Sequence, residues 1–338
     1  MFRLTFLDTS IIKGLAICAM LWHHLFYEHP EYGNTVFQLA LLCKVCVSLF
    51  LMLSGYGLTM QYNKVVNPVN AARKTGGILR FILRRLIKFY SSYWVVFCIF
   101  VPLGIFVFNR ALSIPYGKTN YILKPLLLDI FGLQYFSSYN ITWWFNRLII
   151  SMWIIFPLSH RLITSRNVSM LFLPIAIISF PSDILAFIFG IYLATYQHWF
   201  NKVTDRFGQI HILTIVSIIL VALCVNRQQM FIACLAGLNA DPYISLAIVI
   251  LIPMAVKTTN TRIVILPFLG KHSMNIYMVH TFLYFYFFPD IIYSFRYPCL
   301  IFFVLMILSL CISIVLEEIK IRTGFYAFVG RLLDRLSK

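Results

Sequence analysis

Ten apolar stretches succeed one another between residue 10 and residue 316, at 10–27, 36–60, 86–108, 143–159, 168–180, 183–197, 209–225, 240–256, 272–288 and 298–316. Hydrocarbon offers no water to backbone N–H and C=O groups, so such a run is stable there only as a helix, whose hydrogen bonds close internally. About 20 residues at a rise of 1.5 Å cross the apolar core of a bilayer. Charged residues are 12% of the 338 and hydrophobic residues 61%, whereas an ordinary soluble domain is roughly 25% charged. The chain is therefore expected to be all-α, a polytopic integral membrane protein of about ten transmembrane helices. No polar stretch of about 50 residues, the lower size of an independent domain, is left between the runs. Residues 1–338 read as a single membrane domain with no fused soluble domain.

The net charge of +17 is a topology signal, and no nucleic-acid partner is expected. With a cytoplasmic N-terminus, 21 of the 28 lysines and arginines fall in inside segments; Lys44, Arg110, Lys118, Lys124, Arg147, Arg227 and Arg296 are the other 7. That excess follows the positive-inside rule and puts both termini in the cytoplasm. Residues 121–138 are apolar enough to span, but a full helix there would place the basic turns at 160–166 and 198–208 outside. Because it also contains Lys124, Pro125 and Asp129, the segment is read as an outer re-entrant or interfacial helix. The runs at 168–180 and 183–197 are short and interrupted by Pro174 and Pro181; broken helices at membrane depth lie against protein or a cavity. Nearly all eight cysteines sit in apolar runs, where a thiol packs as a small hydrophobe. Neither a disulfide nor a metal site is expected, since Cys43-x-x-Cys46 lacks a second ligand pair. The first run lacks a small-residue cleavage site after it and reads as a retained helix.

Chemistry enters with the first run. Lys13 precedes His24 by eleven residues, about three turns and 16 Å along nearly one helical face. Ionisable side chains in hydrocarbon cost roughly 2.5–3.5 kcal/mol on insertion scales and face a protein interior or a wet cavity. This helix is a candidate site, with a hydrogen-bonded structural His24 as the plainer reading. His23, offset by about 100°, is the second candidate for the same role and is not expected to share one narrow site with His24. The basic cluster from Arg73 to Lys88 also has two readings. It is either a topogenic signal whose side chains snorkel to the headgroups, or a phosphate site in which Arg84, Arg85 and Lys88 hold a cytosolic nucleotide-bearing donor. Trp144 and Arg147, beside Trp143 and Asn146, present aromatic and polar groups suited to a sugar, although aromatic belts are ordinary at membrane interfaces. His280 is either a packing histidine near Tyr277 and Asn275 or a substrate-site residue. Ser54, Gly55 and Gly57 suit close helix packing, and Lys44 either snorkels or meets an anionic acceptor.

Five phrases, in order, resemble the membrane acyltransferase 3 family. KGLAICAMLWHH, read as Lys13-x10-His24, is similar to its Arg-x10-His signature. VSLFLMLSGYGL (47–58) resembles its second-helix phrase, and LRRLIKFYSSYWVVF (83–97) its third-helix Arg-Arg-x-x-Arg phrase with following aromatics. WWFNRLIISMWIIFP (143–157) and LGKHSMNIYMVH (269–280) resemble its Trp-initiated helix and its Leu-Gly-x-x-Ser-x-x-Ile-Tyr-x-x-His helix. The departures are Lys13 and Lys88 where the family has arginine, so the charge is kept and the planar fork lost. Ile149 and Ile150 stand where some members carry a carboxylate pair. The esterase-like domain that some members append has no counterpart in the chain.

The resemblance implies a bacterial plasma-membrane O-acyltransferase that takes an acyl group, commonly acetyl, from cytosolic acyl-CoA as co-substrate. The acceptor would be a hydroxyl of a surface polysaccharide or lipid-linked sugar, and membrane lipids would be its surroundings. His24 would act as general base or form a transient acyl-imidazole, with Lys13 on the same helix. The competing class is a transporter or flippase of an anionic or lipid-linked sugar. Such proteins often carry internal repeats, and no second copy of the KGLAICAMLWHH or RRLIK phrases occurs.

Overall fold

The computed structural model describes residues 2–65, 76–117, 122–134, 138–229, 240–259 and 262–335. Arg73, Lys74, Lys118 and Lys338, counted in the charge analysis, lie outside them. Every regular element among the described residues is helical. In chain order these are α1 (Phe6–Phe26), α2 (Asn34–Cys43), α3 (Cys46–Val65), α4 (Gly76–Phe106), α5 (Ser113–Tyr116) and α6 (Leu123–Ile130). They continue with α7 (Trp144–Thr164), α8 (Arg166–Ser179), α9 (Ser182–Thr195), α10 (Gln197–Phe207) and α11 (Gln209–Gln229). The last are α12 (Asp241–Thr259), α13 (Ile265–Thr281), α14 (Pro289–Tyr293), α15 (Pro298–Arg322) and α16 (Phe325–Arg335), with a π-helical turn, Phe282–Phe287, after α13.

Among the described residues, six segments are long and apolar enough to cross a membrane: Phe6–Phe26, Asn34–Lys64, Gly77–Phe106, Ile141–Thr164, Asp241–Thr259 and Pro298–Arg322. A seventh arises if α10 and α11, bent by 109° at their junction, count as one span. The expectation of about ten spans is thus met by six or seven. The reason is local. Phe180 is extended and Pro181 opens α9, so the apolar stretch there divides into two 14-residue helices, each about 21 Å long against an apolar core of about 30 Å. Likewise α13 stops at 17 residues, where the π turn takes over. The region 121–138 holds one eight-residue helix, α6, closed by Gly132 at φ 62°. At about 12 Å it is too short for a crossing.

The chain forms two compact units, one of Met1–Asn70 with Ile155–Lys271 and one of Ala71–Ile154 with His272–Lys338. In the first, a capping box starts α1: the Asp8 N–H donates to Thr5 Oγ1 at 3.1 Å while the Thr5 N–H donates to Asp8 Oδ2 at 2.8 Å. Such reciprocal bonds satisfy two of the helix's orphan donors. Its apolar face, Ile11, Ile12, Ala16, Ile17, Leu21 and Leu25, is buried. Helices cross here on glycine. A Cβ on Gly55 would overlap the Phe187 carbonyl oxygen, and one on Gly190 the Met52 carbonyl oxygen, so α3 and α9 meet backbone to backbone. Gly14 against Leu266 and Gly270 against Ser10 bring α1 and the start of α13 together in the same way. Small residues allow this approach in lipid, where close packing and not the hydrophobic effect holds helices together.

The second unit is built on aromatic packing. Trp143 lies edge-on to Tyr93 (5.0 Å between centroids) and Phe282 (5.7 Å) and stacks on Phe97 (5.8 Å). Phe89, Val96, Phe100, Ile150, Met278, Val279 and Leu316 complete this core. Beside it, the buried Asp129 carboxylate accepts from the Tyr116 hydroxyl (2.5 Å), the Ser138 hydroxyl (2.6 Å) and the Tyr139 N–H (2.7 Å). Burial pushes the Asp129 carboxyl above the ordinary carboxylate range, and these donors pull it the other way. The Tyr93 hydroxyl donates to the Asp129 carbonyl. Arg110 donates to the Tyr139 carbonyl at 3.0 Å and lies 3.4 Å from the Tyr286 ring centroid.

Candidate active site

In the first unit, α1 runs unbroken from Lys13 to His24, so the two stay about 16 Å apart along the axis and cannot address one atom together. Lys13, His23 and His24 are each half-buried. His23 Nδ1 lies 2.8 Å from the Ala40 carbonyl oxygen of α2. A carbonyl only accepts, so Nδ1 carries the proton and the lone pair of a neutral His23 ring sits on Nε2. Despite their offset, the His23 and His24 rings approach to 5.2 Å between centroids, and Tyr27 closes on His23 at 4.9 Å. The two rings are thus neighbours despite their helical offset. Neighbouring side chains lean together across the offset, and α1 presents a pair of imidazoles as one patch. Gly55 bears out the close-packing reading, whereas nothing lies within 4 Å of a Cβ on Gly57.

In the second unit, Arg84, Arg85 and Lys88 occupy an arc of about 100° on α4, with Lys88 between the two arginines. Lys88 is exposed and the arginines are half-buried. The Arg85 guanidinium lies 5.9 Å from the Trp153 ring centroid of α7, and its Nε is buried with no hydrogen-bond partner among the described residues. A buried donor without a protein partner calls for an explanation such as a water or a ligand. An anion over this arc would supply it, with the Trp153 ring as an aromatic face beneath the cation.

On α7, Trp144 is half-buried and Arg147 exposed, while Trp143 belongs to the core. Asn146, between them, is fully buried. Its Oδ1 accepts from the Tyr277 hydroxyl at 3.1 Å, and its Nδ2 has no partner among the described residues. His280 is 0% exposed; Nδ1 donates to the Tyr277 carbonyl at 2.8 Å, and Nε2 faces the Thr281 hydroxyl at 3.2 Å. Both nitrogens are engaged within its own helix, the arrangement of a packing histidine. Sequence reasoning passed over Trp153 as the ring under Arg85, the Asn146 amide as an unsatisfied donor, and the pairing of Glu317 with Lys320. Only the last had a readable signal, an acid and a base three residues apart in an apolar run.

Long apolar helices crossing on glycine, with cations and imidazoles along their faces, define a helical integral membrane protein. Residues 6–318 match the family model described as acyltransferase domain, that of acyltransferase 3. The chain belongs to the acyltransferase 3 family and is a membrane acyltransferase. No curated protein and no solved structure matches it.

Proposed function

We propose that this acyltransferase moves an acyl group, acetyl, from cytosolic acyl-CoA to a hydroxyl of a surface polysaccharide or lipid-linked sugar. It works in a bacterial plasma membrane, with both termini cytoplasmic. The observation that carries the reading is the α4 arc of Arg84, Arg85 and Lys88, with the buried Nε of Arg85 left without a partner among the described residues. Arginine offers a planar fork to phosphate and lysine a point charge, a set suited to the phosphates of CoA. Trp144 and Arg147 offer an aromatic face and a donor to the sugar, and Lys13 supplies a cation on the helix that bears the base.

His24 takes the proton of the acceptor hydroxyl as that oxygen bonds to the acyl carbon. The carbon–sulfur bond breaks, and CoA leaves as a thiolate that is then protonated. A neutral imidazole can accept that proton. Attack by the imidazole itself, giving an acyl-histidine, uses the same residue in two steps. The test is release of free thiol from acetyl-CoA by membranes holding the wild type or His24→Ala, with lysed-cell envelope as acceptor. Release that needs both acceptor and His24 is expected. Silence across a panel of acyl-CoAs with competent acceptor would favour a transporter or flippase of an anionic sugar.

A further inference from the structure

Lys320 is 1% exposed, near the end of α15, and α15 is among the most apolar helices of the chain. Its Nζ donates to Glu317 Oε1 at 2.9 Å and Asn275 Oδ1 at 3.2 Å, and reaches Ser92 Oγ at 3.5 Å. Asn275 donates to Glu317 Oε1 at 2.7 Å and to Ser313 Oγ at 3.1 Å, and His272 Nδ1 meets the same Ser313 hydroxyl at 2.9 Å. The Tyr326 hydroxyl of α16 donates to the other Glu317 oxygen. One polar cluster, buried at Lys320 and Asn275 and partly open at Glu317 and Tyr326, thus joins α4, α13, α15 and α16 through residues of the second unit, and α16 also packs on α4.

Stability alone does not account for it. A buried ion pair is often replaceable by well-packed apolar residues with no loss, whereas its geometry can specify one arrangement of helices. What it specifies follows from spacing. Ser92 lies one turn beyond Lys88 and two turns beyond Arg85, within about 40° of each around α4. Holding Ser92 fixes the face that carries the cations.

We infer that Lys320, with Glu317 and Asn275, is a positioning residue that clasps α4 so that Arg85 and Lys88 face the donor's phosphates. This rests on the donor-site reading of those cations. Loss of Lys320 alone leaves the Glu317 carboxylate without its cation, so the deciding variant is Glu317→Gln with Lys320→Met, which removes both charges. Ser92→Ala is the milder companion.

Full-length purified protein is assayed for acyl transfer over a range of acetyl-CoA. Without substrate, the distance between spin labels on the exposed Cys98 of α4 and Cys311 of α15 is measured with the other cysteines replaced by serine. The double variant is expected to keep the wild-type unfolding temperature and kcat, to raise KM for acetyl-CoA about tenfold, the signature of lost uniform binding, and to shift or broaden the label distance. Ser92→Ala changes KM in the same direction by less. A double variant with wild-type KM, or with an unchanged label distance, overturns the proposal. A wild type inert toward every acyl-CoA would remove the donor reading instead; the label distance, taken without substrate, still decides the clasp.

Discussion

At the scale of single residues, the imidazole patch on α1 and the carboxylate of Asp129 make opposite demands. The patch must reach a substrate, and His24→Ala is expected to lower thiol release by at least about a hundredfold, a modest value for loss of a general base, with membrane insertion unchanged. His23→Ala should weaken activity less, because His24 and not His23 completes the spacing from Lys13; comparing the two variants in one membrane assay decides which ring is the base. Equal activity of wild type and His24→Ala would remove His24 from the mechanism. Asp129 serves structure. Three donors converge on it, so Asp129→Asn turns one acceptor oxygen into a donor facing donors and should cost about 1–3 kcal/mol, read as a lower unfolding temperature in detergent. The Lys13-x10-His24 spacing was legible in the chain because it lies within one helix. The His23 tether and the Asp129 cradle were not, because their partners come from other elements whose approach no local pattern encodes. For the same reason His280, read as a packing or a substrate residue, needed the backbone around it before its two engaged nitrogens were visible.

Among elements, the phrase LSGYG in α3 offered two glycines with equal claim to a helix crossing, and the packing separates them. Gly55→Ala would press a methyl into the Phe187 carbonyl, and Gly190→Ala one into the Met52 carbonyl. Neither obstacle is a side-chain end that can swing away, so α3 and α9 must part, at about 1–3 kcal/mol by the usual scale of overpacking. Gly57 meets open space, and Gly57→Ala should be neutral or stabilising by about 0.5–1 kcal/mol, since glycine is a poor helix former. Unfolding temperatures of the purified variants test the contrast; similar losses at Gly55 and Gly57 would mean that α3 and α9 do not cross where described. Helix existence was well anticipated, since each of the ten apolar stretches contains a helix. Helix length was less so: the break at Pro181 was legible from the proline, whereas the π turn after α13 cuts a run, 272–288, that hydropathy reads as continuous.

For the whole molecule, those cuts decide topology, and parity makes it testable. Six long spans return the chain to the side where it began, while seven do not. If α8 and α9 cross as a pair, and the bent pair α10–α11 and α13 with its π turn cross once each, the count is 6 + 2 + 1 + 1 = 10, again even. Charge separates the cases. Lys320, Arg322, Arg331 and Arg335 lie at the end of α15 and in α16, and a seven-span path from a cytoplasmic N-terminus would put them outside, against the positive-inside bias. Single cysteines in a cysteine-free chain, probed with a membrane-impermeant thiol reagent on intact cells, give the answer. Positions 165 and 196 and both termini are expected to react only after the membrane is opened, and position 180, between α8 and α9, to react from outside. Protection of position 180 with the other four unchanged would make α8 and α9 a hairpin that enters from the cytoplasmic side without crossing. Reaction of one terminus but not the other from outside would overturn the even count, and reaction of the N-terminus from outside would overturn with it the cytoplasmic placement of Arg84, Arg85 and Lys88 on which capture of a cytosolic acyl-CoA depends.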